Sequence, residues 1–209
     1  ATMTDSDGKI KWAPHNLFQN SENYNINGWY RTQYTVTPNN DIAPDGTNTA
    51  NLVSSTDGSA SYLMDDGTAF TNIGNYTLKV WAKANTGDST LRMWVWMVGG
   101  SAGSSGQTTF NLTNEWQLLE INSTITTVGA ARIRIDQPNA GASTFYLWGA
   151  HAYRSDLGGM ANNPAQSTGF ETYVPTTSSA VYLPRVGHHI YNGSAWVNEG
   201  VLHESEART

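Results

Sequence analysis

Two neighbouring stretches of the chain alternate strictly in character, and this period of two constrains the fold more than any other feature of the sequence. In residues 76–83, one parity is apolar and the other holds Lys79, Trp81 and Lys83. In residues 91–97, one parity is again apolar and the other holds Arg92, Trp94 and Trp96. Successive side chains of a strand point to opposite faces of a sheet. Both stretches therefore predict strands with one face in a core.

The polar parity is unusual, because it interleaves indole rings with Lys and Arg where an ordinary solvent face carries Thr, Ser and Glu. A third strand candidate, residues 131–136, continues the pattern. The predicted platform consists of Lys79, Trp81, Lys83, Arg92, Trp94, Trp96, Arg132, Arg134 and Asp136. Indole faces stack on the CH face of a sugar ring, and Arg, Lys and Asp bond its hydroxyls. The platform is thus a candidate glycan-binding surface, and two other interpretations stay open: the C-terminal tail covers it, or a second copy does.

Composition favours an all-β protein. Charged residues make up 13% of the 209-residue chain, against roughly 25% in an average soluble domain. Thr, Val, Tyr and Trp favour strands, and the Asp-Gly and Asn-Gly pairs favour tight turns. Short strand candidates, residues 29–36 among them, follow one another without a helical period between them. This spacing predicts a β-sandwich of the jelly-roll type.

The overall charge excludes some partners and suggests others. A formal charge of −6 argues against nucleic-acid binding, which needs a basic surface. The cations that the platform gathers would nevertheless favour an anionic ligand. There is no cysteine, so disulfides and cysteine-held metals are excluded. No apolar run is long enough to span a bilayer, and we expect no membrane insertion.

The chain divides into three parts. We expect residues 1–15 to form a leader, residues 16–154 a jelly-roll domain, and residues 155–209 an extended tail with a β-hairpin that serves as a connector to a following module. The hairpin is signalled by Asn192-Gly193, which fits a type I′ turn. An isolated hairpin is only marginally stable. We therefore expect it to pack on the sandwich, on the leader, or on another subunit.

Three pieces of sequence carry a resemblance when they occur in this order. They are residues 16–22 with 28–29 and 43–47, residues 115–117 with 145–150, and residues 172–177. Together they resemble the carbohydrate-binding-module-like jelly-roll domains of fibre, spike and other minor virion proteins in tailed phages, prophages and gene transfer agents. The resemblance covers the chain from about residue 16 to residue 177.

The resemblance implies a non-catalytic module on the surface of a virion, extracellular and in contact with host surface polysaccharide. It also implies other virion proteins as partners and a homo-oligomeric assembly. The alternative is a purely structural connector domain of such a particle, without a ligand of its own. No cofactor is required, but jelly rolls of this class often hold a structural calcium near the first strand. Glu22 and Asp45 are the acids that could serve here.

Aromatic residues near one loop form a second candidate site. Tyr24, Trp29 and Tyr30 flank residues 25–28, and loops often carry binding residues. The competing interpretation is a hydrophobic plug that closes one end of the sandwich.

Motifs of catalysis are missing from the sequence. There is no Gly-x-Ser-x-Gly elbow, no phosphate-binding glycine loop and no His-Glu-x-x-His pair. A polysaccharide depolymerase remains a third hypothesis, and the sequence predicts a protein that is not an enzyme.

Overall fold

The computed structural model describes most of the chain between residues 2 and 202. The described ranges are 2–4, 10–12, 15–55, 61–66, 69–87, 90–97, 106–128, 131–139, 141–157, 173–182, 185–191 and 196–202. Of residues 2–4, 10–12, 181–182, 185–191 and 196–202 only the backbone is described. In chain order the strands are β1 Thr2–Thr4, β2 Ile10–Trp12, β3 His15–Asn16, β4 Trp29–Thr32, β5 Tyr34–Asp41, β6 Ala50–Ser55, β7 Tyr62–Asp65, β8 Gly74–Gly87, β9 Thr90–Met97, β10 Thr108–Asn111, β11 Gln117–Ile125, β12 Ala131–Asp136, β13 Ser143–Arg154, β14 Val181–Tyr182, β15 Arg185–Tyr191 and β16 Trp196–Leu202.

Ten of these strands form a sandwich of two five-stranded antiparallel sheets. Sheet I has the order β10-β9-β12-β7-β4, and sheet II has the order β11-β8-β13-β6-β5. The prediction of an all-β jelly-roll sandwich is confirmed. In the described residues, no helix is long and apolar enough to cross a membrane.

The core lies between the sheets and is built from the apolar parities that the sequence marks. Leu78 and Val80 of β8 are fully buried, as are Leu91, Met93 and Val95 of β9. All five belong to one hydrophobic cluster. Burying a side chain of this kind contributes roughly 1.5–3 kcal/mol, so the inward residues of these two strands are major contributors to the hydrophobic stabilisation of the core.

The chain changes sheet at two places where the sequence suggests continuity. β8 belongs to sheet II and β9 to sheet I, although only residues 88–89 separate them. Residues 29–36, predicted as a single strand, are β4 in sheet I and the start of β5 in sheet II. The break falls at Gln33, whose φ of 53° is left-handed and turns the chain out of the strand. That one-strand prediction is wrong.

β13 contains a bulge that sets which side chains leave the sandwich. The register with β8 shifts between Trp148 and His151, around Gly149 with its φ of 66°. Trp148 lies opposite Trp81, and His151 lies opposite Lys79. The bulge places residues 149 and 150 of β13 opposite a single residue of β8. The side chains of Trp148 and His151 therefore project from the same face, the outer face of sheet II.

The two ends of the sandwich domain meet beside β13. β3 pairs with β14, and Leu17 N–H donates to the carbonyl of Ala152 at 2.9 Å. Thr176 exchanges hydrogen bonds with Ser21 and donates its hydroxyl to the carbonyl of Phe18 at 2.7 Å. Residues 173–177 are thereby fastened to residues 16–21.

Beyond these ends lie two further strand pairs. β1 pairs with β2, and β15 pairs with β16 as a hairpin. The backbone of β1 lies close to that of β15, which is one of the placements that the sequence left open. The predicted Asn192-Gly193 turn lies outside the described residues.

Candidate functional site

The residues of the predicted platform are divided between opposite sides of the sandwich. Sheet I carries Arg92, Trp94, Trp96, Arg132, Arg134 and Asp136, and sheet II carries Lys79, Trp81 and Lys83. The prediction of one continuous face is wrong in this respect. The alternation in each strand correctly indicates which side chains point outward. Because β8 lies in sheet II and β9 in sheet I, their outward side chains lie on opposite sides of the sandwich.

The first set belongs to a surface that we call the arginine face, the outward side of sheet I. Its members are Tyr30, Tyr62, Arg92, Trp94, Trp96, Arg132, Arg134 and Asp136. Pairing of β9 with β12 sets Trp94 opposite Arg134, Trp96 opposite Arg132 and Arg92 opposite Asp136. Directly opposed Cβ atoms lie about 5 Å apart in an antiparallel pair. Rings and guanidinium groups therefore alternate across the two strands.

A buried carboxylate organises this face. Asp136 is only 1% exposed, and its Oδ1 accepts from Arg92 Nε at 2.7 Å. Its Oδ2 accepts from Arg92 Nη2 at 3.0 Å and from Arg134 Nε at 2.7 Å. The hydrogen bond to Asp136 is the main reason why the pKa of Arg92 is raised. Arg92 also donates Nη1 to Gln107 Oε1 at 2.9 Å, so the whole guanidinium is held within the protein.

The other two arginines stack on aromatic rings. The guanidinium of Arg134 lies 4.2 Å from the ring centroid of Tyr62 and 5.4 Å from that of Trp94. Arg132 lies 5.4 Å from the Tyr30 centroid and donates Nη1 to the carbonyl of Asp65 at 3.2 Å. Such cation–π pairs contribute about 0.5–2 kcal/mol each. They fix the orientation of both side chains on the surface.

Several donors on the arginine face are left without a partner in the described part of the chain. Trp94 Nε1 is shielded from solvent and makes no hydrogen bond there. Arg134 uses only Nε, to Asp136, which leaves both terminal nitrogens available. Tyr30, at the edge of the face, is 54% exposed. The arrangement can therefore stack on a ring and donate hydrogen bonds to a ligand.

The opposite surface, the lysine face, is the outward side of sheet II around Lys79, Trp81, Lys83, Trp116 and Tyr146. Lys79 pairs with Glu120 at 3.1 Å, and Lys83 pairs with Asp41 at 2.5 Å. The hydrogen bond from Lys83 lowers the pKa of Asp41. Both cations are thus neutralised by neighbours.

The tail covers part of the lysine face. The ring of Tyr173 lies 4.7 Å from that of Trp148, which is 1% exposed. Trp81 and Trp116 pack against the same cluster. For this half of the predicted platform, coverage by the tail describes the geometry better than an open surface.

The predicted calcium ligands serve other roles in the described structure. Asp45 Oδ1 accepts from the backbone N–H of Thr47 at 2.9 Å and from its hydroxyl at 2.7 Å, closing its own turn. Burial raises the pKa of Glu22, a hydrogen bond with Tyr173 opposes the rise, and the charge of Asp45 adds to it. No group of three or more His, Cys, Asp or Glu suited to a metal occurs among the described residues. Calcium takes about six to eight oxygens, so two carboxylates alone do not make a site, and calcium stays a prediction.

The loop aromatics divide between the two interpretations. Tyr24 and Trp29 are buried, with ring centroids 4.8 Å apart, as expected for a plug. Tyr30 points outward into the arginine face.

Tyr62 and Gln107 were missed by the sequence analysis. The alternation of Tyr62 with Leu63 could have indicated an outward ring, but the pairing of β7 with β12 is not readable from sequence.

The chain matches no family model, and no curated protein matches it. Among solved structures, the CBM22-1 and GH10 modules of Clostridium thermocellum xylanase 10B, complexed with xylohexaose, give a TM-score of 0.50 at 15% identity, covering 68% of this chain and 28% of that chain. A CBM4 structure gives 0.46 at 21% identity over 60% and 94% of the two chains. The enzymatically active domain of bacteriophage CBA120 tailspike protein 4 gives 0.48 at 18% identity over 66% and 21%. At these identities, the xylanase comparison shows a shared fold, the jelly-roll sandwich of carbohydrate-binding modules.

Proposed function

We propose that this protein is a non-catalytic, virion-associated fibre or spike module that binds host surface polysaccharide on its arginine face. One observation carries the proposal. Trp94, Trp96 and Tyr30 share one outer sheet surface with arginines whose orientation is fixed and whose donors are not all used. The surface matches the two needs of sugar binding, which are a ring to stack on and donors for oxygen atoms.

The fold agrees with this function. The xylanase modules whose sandwich resembles this chain were solved with xylohexaose bound, so a protein containing this fold binds a polysaccharide fragment. Fold alone does not define function. The chemistry of the arginine face supplies the specific support.

An acidic polysaccharide fits the face better than a neutral one. The outward residues of β9 and β12 include three arginines and one carboxylate, Asp136, whereas the lysine face is neutralised by Asp41 and Glu120. Retention of an acidic polymer should therefore weaken as ionic strength rises, because salt screens exposed charges beyond about 10 Å at 0.1 M.

Location on the virion, homo-oligomerisation and contact with other virion proteins are supported by the sequence resemblance of residues 16–177. The absence of a catalytic role is supported by the lack of catalytic motifs in the sequence. These parts of the proposal are independent of the ligand.

A structural connector is the alternative function, and the lysine face favours it. Ile42 is 53% exposed, and the indole of Trp116 donates to its carbonyl at 3.0 Å. Trp81 and Tyr146 are half-buried nearby. In this alternative, a neighbouring chain or module covers these groups, and the protein has no glycan ligand.

Single alanine substitutions on the two faces distinguish these functions. On a glycan array, Trp94→Ala and Trp96→Ala should each weaken binding at least about tenfold, because a lost stacking contact costs on the order of 1.4 kcal/mol or more. Trp116→Ala, on the lysine face, is the matched control and should bind as wild type. Thermal melting confirms that each variant is folded.

The proposal fails if folded wild-type protein binds no glycan on the array. It also fails if Trp116→Ala loses as much binding as Trp94→Ala. Burial of Trp81 and Trp116 by another chain, seen in a particle map, would support the connector.

A further inference from the structure

We propose that Arg134 is the residue that takes an acidic group of the polysaccharide, a carboxylate in the first instance, and that buried Asp136 is its positioning residue. This inference rests on the proposed function and assigns the acid-binding step to particular atoms.

Arg92 and Arg134 both donate to Asp136, but they differ in how many of their nitrogens are used. Arg92 donates Nε and Nη2 to Asp136, and it donates Nη1 to Gln107. Its charge is matched by a carboxylate that is 1% exposed. Arg92 therefore fixes Asp136, and it has little left to offer a ligand.

Arg134 is held differently. Its Nε donates to Asp136 Oδ2 at 2.7 Å, and its guanidinium stacks on Tyr62 and Trp94. No hydrogen bond within the described residues uses its terminal nitrogens. A guanidinium fixed through Nε and two rings loses little freedom when a ligand binds. Its terminal N–H groups can bond the two oxygens of a planar carboxylate.

Two neighbours complete the subsite. The indole ring of Trp94 lies beside Arg134, with its centroid 5.4 Å from the guanidinium. Arg132 lies two residues away on the same side of β12, about 7 Å along the strand, and adds a second cation. A chain of uronic acid residues presents carboxylates on rings that can stack, and it matches this set of groups.

The variant Asp136→Asn distinguishes a positioning role of Asp136 from a purely electrostatic role. The two roles predict opposite changes in the affinity for an acidic polymer. If only net charge matters, removing a carboxylate from a cationic surface strengthens the binding of an acidic polymer. If Asp136 holds Arg134 in place, its loss weakens binding, because an amide offers one acceptor oxygen where the carboxylate offers two.

The test measures binding of the full chain to polygalacturonate, dextran sulfate and neutral dextran at low and moderate salt. We expect wild-type protein to prefer polygalacturonate. Asp136→Asn should raise the Kd for it at least about tenfold. Arg134→Lys, which keeps the charge but loses the planar fork, should do the same. Glu120→Gln is the matched control, since it removes one carboxylate from the opposite face and should change the Kd less than about twofold.

Several results would overturn the inference. Binding by Asp136→Asn that equals or exceeds wild type rules out positioning, and unchanged binding by Arg134→Lys rules out the fork. Preference for dextran sulfate rules out the carboxylate as the group bound. Binding of dextran alone removes the acid subsite but leaves the proposed function standing, whereas no binding to any glycan contradicts the proposed function itself. If Asp136→Asn does not fold, the Kd of Arg134→Lys for polygalacturonate tests the inference instead.

Discussion

At the scale of single residues, His151 shows how burial without a compensating charge sets an ionisation state. Its side chain lies on the outer side of sheet II but is only 4% exposed. Its Nε2–H donates to the carbonyl of His15 at 2.9 Å. Burial lowers the pKa of His151 to about 4, and the charge of Lys79 adds to that effect. His151 is therefore neutral in the folded protein near pH 7.

This neutrality predicts a pH dependence of stability. An unfolded histidine takes up a proton below about pH 6.5, whereas His151 in the folded protein does so only near pH 4. The stability it contributes is therefore complete above pH 6.5 and is lost as pH falls toward 4. The free energy of unfolding should drop by up to about 1.4 kcal/mol per pH unit from this group.

Urea denaturation of wild type and His151→Gln across pH 4–7.5 measures this slope, because glutamine can still donate to the carbonyl but does not titrate. As pH falls, the free energy of unfolding of wild type should drop more steeply than that of His151→Gln. Parallel curves would show that His151 is not the group responsible.

At the scale of elements, the alternation of single strands was predictable but their assignment to sheets was not. Leu78 and Val95 point inward and Lys79 and Trp94 outward, as the sequence indicates. Period two is a local property of each strand, whereas sheet membership depends on the connection and on the partner strand. Because β8 belongs to sheet II and β9 to sheet I, the residues predicted as one platform lie on two opposite faces. The stacking of Arg134 on Tyr62 likewise depends on a strand pairing between distant residues.

Asn16 links the elements at the ends of the sandwich and gives a stability prediction. Its side-chain amide donates to the carbonyls of Ala150 and Val174, both at 2.8 Å. Its oxygen accepts from the backbone N–H groups of Phe18 and Ala152, both at 3.1 Å. Asn16→Ala leaves these buried groups unpaired, at roughly 1–3 kcal/mol each. We expect the free energy of unfolding to fall by about 3 kcal/mol or more in urea denaturation.

Asn25→Ala is the control for this prediction, because Asn25 is exposed and its side chain should contribute within about 0.5 kcal/mol. Equal stability of the Asn16 and Asn25 variants would show that the fastening of residues 173–177 to residues 16–21 is not important for the fold.

At the scale of the whole molecule, the ends of the sandwich domain and the arginine face lie on opposite sides of the sandwich. β3, β14 and the segment around Tyr173 lie beside β13 on the outer side of sheet II. The arginine face is the outer side of sheet I. The chain carries a formal charge of −6, yet the arginine face has a local excess of positive charge. In the proposed function, a module held through the ends of its sandwich domain would present the arginine face on the opposite side.

The most direct test of this account uses the indole N–H signals of the tryptophans in an NMR titration with an acidic polysaccharide. Binding on the arginine face should shift the signals of Trp94 and Trp96, which lie on that face. Trp116 and Trp148, whose indoles donate to Ile42 and Thr49 on the other side, should stay in place. Shifts confined to Trp81, Trp116 and Trp148, or no shift at saturating polymer, would contradict the proposed binding face.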